Sequence, residues 1–312
     1  MKCQNIEPNM EGIIDEELNE ILAKEKYPKE VSDMQSFTML EKKQEEVLEF
    51  YKDDLNSLYQ ISNKIEGFDW KADPIIIDII QKQNLKKDFA NIFKVSEKEI
   101  ATSLSEFKVN ENIRFFVGNL IWTGDTVPPS FSKLQVIFGN ADFRWLLNAR
   151  YLESLQYIGG NADFSWLTSE KGLNSLRNIG GSVNFPKLTS AEGLYSLQNI
   201  GGNADFSSLT SAKGLNSLQN IGGDAVFSKL TNAKELCSLQ NIGGEANFYK
   251  LTSAEGLNSL QNIGESARFF SLTNAEGLES LRSVGDTKDQ FVQEIIEKNN
   301  QTSIKYIKHR HK

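Results

Sequence analysis

The sequence predicts an α+β protein: a helical N-terminal domain, then a parallel β-solenoid of leucine-rich-repeat-like coils, then a C-terminal capping helix. Three observations carry this expectation. A phenylalanine recurs at Phe143, Phe164, Phe185, Phe206, Phe227, Phe248 and Phe269, every 21 residues without a slip. Leu155, Leu176, Leu197, Leu218, Leu239, Leu260 and Leu281 keep the same step, as do Ile158, Ile179, Ile200, Ile221, Ile242 and Ile263, with Val284 closing that series. Residues 1–110 carry no such repeat and show apolar residues at helical spacing instead. Self-similarity at a fixed period of this size marks a solenoid. The domains are therefore expected at 1–110, at 111–286 (about eight coils), and at 287–312 for the cap and a basic tail.

Within the first domain, Leu40, Val47, Leu48, Tyr51, Leu55, Leu58 and Ile61 fall on one helical stripe. Asp73-Pro74 ahead of Ile75–Ile80 matches an N-cap with proline at N1, although a run so rich in isoleucine also suits a strand. Ser96 with Glu99 three residues later forms a capping-box pattern before Ile100 and Leu104. A small helical bundle is the expected result.

The solenoid is expected to begin with a degenerate coil. One period before Phe143 lies Trp122, and Phe116, Ile113 and Phe131 likewise precede Ile137, Leu134 and Leu152. Pro128-Pro129 bends the return stretch of this coil. Terminal repeats are atypical because one face meets something other than a sibling. Each later unit follows L-x-x-I-G-G-x-A-x-F-x-x-L-T-S-A-x-G-L-x-S. In Asn203-Ala204-Asp205-Phe206 the alternation makes a short strand with Ala204 and Phe206 inward. Gly201-Gly202 supplies a bend, either because a side chain would clash there or because φ is positive. After Val284, the residues Phe291, Val292, Ile295 and Ile296 share one face of a helix that would cover the last coil.

A formal net charge of −8 speaks against nucleic acid as the partner, since such proteins usually carry a basic face. Two cysteines, Cys3 and Cys237, make no disulfide framework. The opening residues are acidic and lack the apolar core of a Sec signal, and no long apolar run spans a membrane. The expected location is cytoplasmic, or exported by a Sec-independent route.

The stretch from Ser196 to Leu215, SLQNIGGNADFSSLTSAKGL, resembles bacterial leucine-rich repeats of short period, particularly the receptor L-domain type with its L-x-x-I-G-G-x-L-x-I signature. The resemblance spans about Ile113–Val284 and implies architecture and a binding role, not an activity. Alanine stands at the first strand position where that family favours leucine, implying a thinner core. The asparagine that usually follows the strand is replaced by S-x-L-T-S, which leaves the family's buried asparagine ladder without its residue. A plain right-handed β-helix shares most of these expectations.

Repetition turns outward positions into columns. One carries Asp142, Asp163, Asn184, Asp205, Val226, Asn247 and Arg268; its neighbour carries Asn140, Asn161, Ser182, Asn203, Asp224, Glu245 and Ser266. Together they predict an acidic, amide-rich strand face suited to another protein with a basic or polar surface. A solvated face serving only solubility is the bland alternative. The aromatics Trp145, Trp166, Tyr249 and Phe270 follow the strand near the two ends. Exposed Trp and Tyr favour contact hot spots, but at the ends of an array packing is the better expectation, with Trp145 and Trp166 on the N-terminal domain and Phe270 under the C-terminal helix. Threonine and serine columns are expected to bond neighbouring backbone.

No catalytic residues are assigned: His309 and His311 sit in the tail, and no nucleophile or phosphate-loop motif occurs. No cofactor is implied, and no coil offers the multi-oxygen loop that a metal such as calcium needs. The expected function is a non-catalytic interaction scaffold, monomeric by preference. The alternative makes the N-terminal domain an enzyme or toxin-like module, with Glu46, Asp53, Asp54 and Asp78 as candidate carboxylates and the repeats as its targeting arm.

Overall fold

The structure, a computed structural model, describes residues 38–40, 42–43, 79–80, 83–285 and 292–300. The chain divides into two compact units, Met1–Val95 and Ser96–Lys312. In the first, Leu85–Phe93 forms a helix. Asn84 caps it, its side chain accepting the Lys87 N–H at 3.2 Å, and Lys94 ends it with φ of 55°. Helical turns also occur at 38–40, 42–43 and 79–80. The rest of the Leu40 stripe, the Asp73-Pro74 cap and the four candidate carboxylates lie outside the described residues.

The second unit is a parallel β-solenoid of about eight turns built from two sheets. One has ten strands, from Ile100–Ala101 to Ser283–Val284; the other has eight, from Leu120–Ile121 to Ala267–Arg268. From Phe115 onward every pairing is parallel and offset by one period, as in Ile200 with Ile221 and Ala204 with Ala225. Trp122 and Pro128-Pro129 thus belong to a true first turn, whose strands Phe115–Phe116 and Leu120–Ile121 pair with the next.

The structure departs from the expectations in three places. Ile100–Ala101 adds a strand ahead of the repeat frame by pairing with Phe115–Phe116. The Ser96–Glu99 capping box forms, but it caps a three-residue 3-10 turn that leads into this strand, not a long helix. Glu99 also meets Arg114 at 2.8 Å, and that hydrogen bond holds its carboxyl below the ordinary value. Lastly, a complete turn holds two strands rather than one, the extra one being the pair before the glycines, Asn-Ile in the turns from Asn178 to Ile263.

The core is one continuous column. The seven phenylalanines are buried and stack face to face, ring centres 5.0 to 5.6 Å apart. A single turn would leave most of this apolar surface in water, so neighbours stabilise one another. At the far end, Val292 and Ile295 of the helix at 292–300 enter the same core. Asn299 Nδ2 donates to the Leu278 and Leu281 carbonyls at 2.8 and 3.0 Å, which fastens the helix to the last turn.

An asparagine ladder runs along the first sheet from Asn178 to Asn262, one residue before the core isoleucine of each of these turns. Asn199 Nδ2 donates to Asn178 Oδ1, and Asn220, Asn241 and Asn262 each donate to the asparagine one turn earlier, at 2.8 to 2.9 Å. The Ser283 hydroxyl closes the file by donating to Asn262 Oδ1 at 2.8 Å. The ladder is therefore present, supplied by a different column from the one the resemblance pointed to. Replacing Asn220 with alanine would orphan two half-buried amide groups. Urea unfolding should show a loss of about 1–3 kcal/mol.

Candidate functional site

The outward side of the eight-stranded sheet holds most of the residues singled out for partner binding. Because Ala141 and Ala162 point into the core, the flanking polar side chains stand as two parallel walls along the solenoid. Between them, near the first turns, lies an open trough of about 350 Å³ lined by Asn140, Asp142, Arg144, Asn161, Asp163 and Asn184 among others.

Both walls also do structural work that the sequence did not reveal. In the asparagine wall, the Asn161 N–H donates to Asn140 Oδ1 at 2.7 Å and Ser182 N–H to Asn161 Oδ1 at 2.8 Å. The pattern continues through Ser182, Asn203 and Asp224, ending on the Glu245 N–H. The chain turns at the glycine pair, so these N–H groups leave the strand ladder and the side chain one turn earlier receives them. Asn140, Asn161, Asn203 and Asp224 are thus corner acceptors first and surface groups second.

In the aspartate wall, Asp142, Asp163 and Asp205 accept the N–H two residues on, from Arg144, Ser165 and Ser207, and Asn247 does the same for Tyr249. These Asx turns lead the chain off the strand. Asn184 makes none, because Pro186 has no N–H to give, and its side chain is exposed.

Charge is distributed unevenly along the face. Arg144 reaches Asp142 Oδ2 at 2.8 Å and lies 3.8 Å from Asp163, and the Asp142 bond raises its already high pKa. Arg144 was not among the predicted contacts; only the bridging geometry shows that it partly neutralises the trough. At the other end Arg268 pairs with Glu245 at 3.0 Å. Among the described residues neither Asp205 nor Asp224 has an ion pair, so their charges are the least offset, while Arg144 partly offsets Asp163.

No family model matches the chain, and no curated protein is significantly similar to it. The residues themselves must therefore carry any functional reading.

The predicted aromatic contacts form two clusters. Trp145 and Trp166 stack 5.9 Å apart, about half exposed, with Lys187 Nζ 3.1 Å from the Trp166 ring centre. Tyr249 meets Phe270 edge-on at 5.3 Å, and Phe270 is 65% exposed, so the expectation that it packs under the C-terminal helix is overturned. Alternate members of the threonine column bond as anticipated: the hydroxyls of Thr168, Thr210 and Thr252 donate to carbonyls one turn back. No helix among the described residues is long and apolar enough to cross a membrane.

Proposed function

We propose that the protein is a non-catalytic interaction scaffold whose eight-stranded sheet receives another protein with a basic or polar surface. The observation that supports this most is the fixing of Asp163 and Asp205. One oxygen of each is held by the turn that follows, so little side-chain entropy remains to be lost on binding. The exposed Asn184 amide stands between them in the same column. On this reading the repeats are relatives of leucine-rich repeats, an inference resting on the L-x-x-I-G-G frame and on the presence of an asparagine file. The near-identity of the units from Leu188 to Gly264 suits a surface whose length changes by duplication, as in a microbial effector exported without a Sec signal.

The charge can be tested apart from the fold. Asp163→Asn with Asp205→Asn keeps the turn acceptor, as Asn247 does naturally, and removes two negative charges. A pull-down with the full chain should capture a partner that the double variant binds about tenfold more weakly. The melting curves of the two proteins should coincide. Equal capture by both would remove these carboxylates from the interface.

A further inference from the structure

Apart from Lys94 at a helix end, Tyr151 is the only described residue other than glycine with positive φ, at 72°. One period later the same corner is Gly172 at 104°, and Gly214, Gly256 and Gly277 occupy it at 98°, 103° and 94°. A bulky side chain in the left-handed region is strained. Since four other turns make this corner with glycine, the fold does not require a tyrosine there.

The Tyr151 ring is half-buried against the core, and the Arg150 guanidinium carbon lies 4.9 Å from its centre. Both line a cleft of about 450 Å³ whose other walls include Trp122, Pro128, Pro129 and Asn148. That volume lies in the range of small-molecule sites. The cleft exists because the first turn departs from its siblings. Trp122 replaces the core phenylalanine, and its indole N–H donates to the Thr126 carbonyl at 2.9 Å, which fixes the ring near the surface. Asn148 Oδ1 accepts the Arg150 backbone N–H at 3.3 Å, which ties down the rim. The Arg150 guanidinium pairs with no carboxylate among the described residues.

We propose that this cleft binds a small planar aromatic anion. Its ring lies against Trp122, Tyr151 and the proline pair, where flat apolar walls favour a flat ligand. Its acid group meets Arg150, whose planar fork matches a carboxylate. This site is separate from the trough and does not depend on the scaffold reading.

Calorimetry on the full chain with 2-naphthoate, and with neutral 2-naphthamide as control, tests the idea. The acid should saturate one site and bind about tenfold more tightly than the amide. Arg150→Gln should bring the acid down to the level of the amide. Tyr151→Gly should weaken both probes about tenfold while melting no lower than the parent, since it restores the residue its siblings use. Lack of saturable 2-naphthoate binding, or binding untouched by either substitution, would overturn the proposal. So would a Tyr151→Gly protein that melts well below the parent, because the strained ring would then serve the fold.

Discussion

Replacing Phe206 with alanine should cost about 3–5 kcal/mol, the range for removing a fully buried aromatic ring. Phe206 is inaccessible to water and stacks on Phe185 at 5.6 Å and on Phe227 at 5.3 Å. The truncation therefore strips both faces of one layer. The neighbours cannot close the gap, because their own backbones are pinned by the ladder on each side. In a stack where each turn touches only its neighbours, the damage falls on two interfaces in the middle of the array. Urea titration followed by circular dichroism should show a lower midpoint, with the two halves tending to unfold separately. A midpoint equal to that of the parent would mean that the ring does not carry the interior.

Gly222→Ala should be as damaging for a different reason. A β-carbon at Gly222 would lie 2.3 Å from the Gly201 carbonyl oxygen, which is backbone and cannot swing aside. The turns would have to part where Gly222 N–H donates to the Ile200 carbonyl at 2.8 Å. The expected loss is about 2–4 kcal/mol, again read from urea midpoints. Gly118 offers an internal comparison: its φ is 112°, yet an added β-carbon meets nothing within 4 Å. Gly118→Ala should cost only the torsional strain, about 1 kcal/mol. If both substitutions cost the same, close approach is not what demands the glycine pair.

The period of the fold was legible because apolar positions repeat without a slip, and one inward side chain per position leaves little freedom in assigning the interior. The second strand was not legible, since Asn-Ile is too short to show alternation. The two polar columns were read as a free surface for a related reason. An asparagine repeated every turn has the same spacing whether it faces water or bonds the backbone of its neighbour. Asn161 turns out to do the latter, and Asp205 bonds the backbone of its own turn. Similarly, the box at Ser96 and Glu99 was visible as a motif, but its partner strand Phe115–Phe116 lies too far along the chain to reveal what the box caps. Tyr151 could have been flagged from sequence alone: it breaks a column that is otherwise mostly glycine, and that break is the trace of the strained corner.

The uniform offset of 21 between paired strands has a genetic corollary. An excision or splice of one whole unit brings like residues back into like places, so Phe meets Phe and the amide file reconnects. A gain or loss of any other length throws the glycine corner under a side chain and turns the inward residues out. Lengthening and shortening should therefore proceed in full steps, each adding one strand's width of outer surface while leaving the interior unaltered.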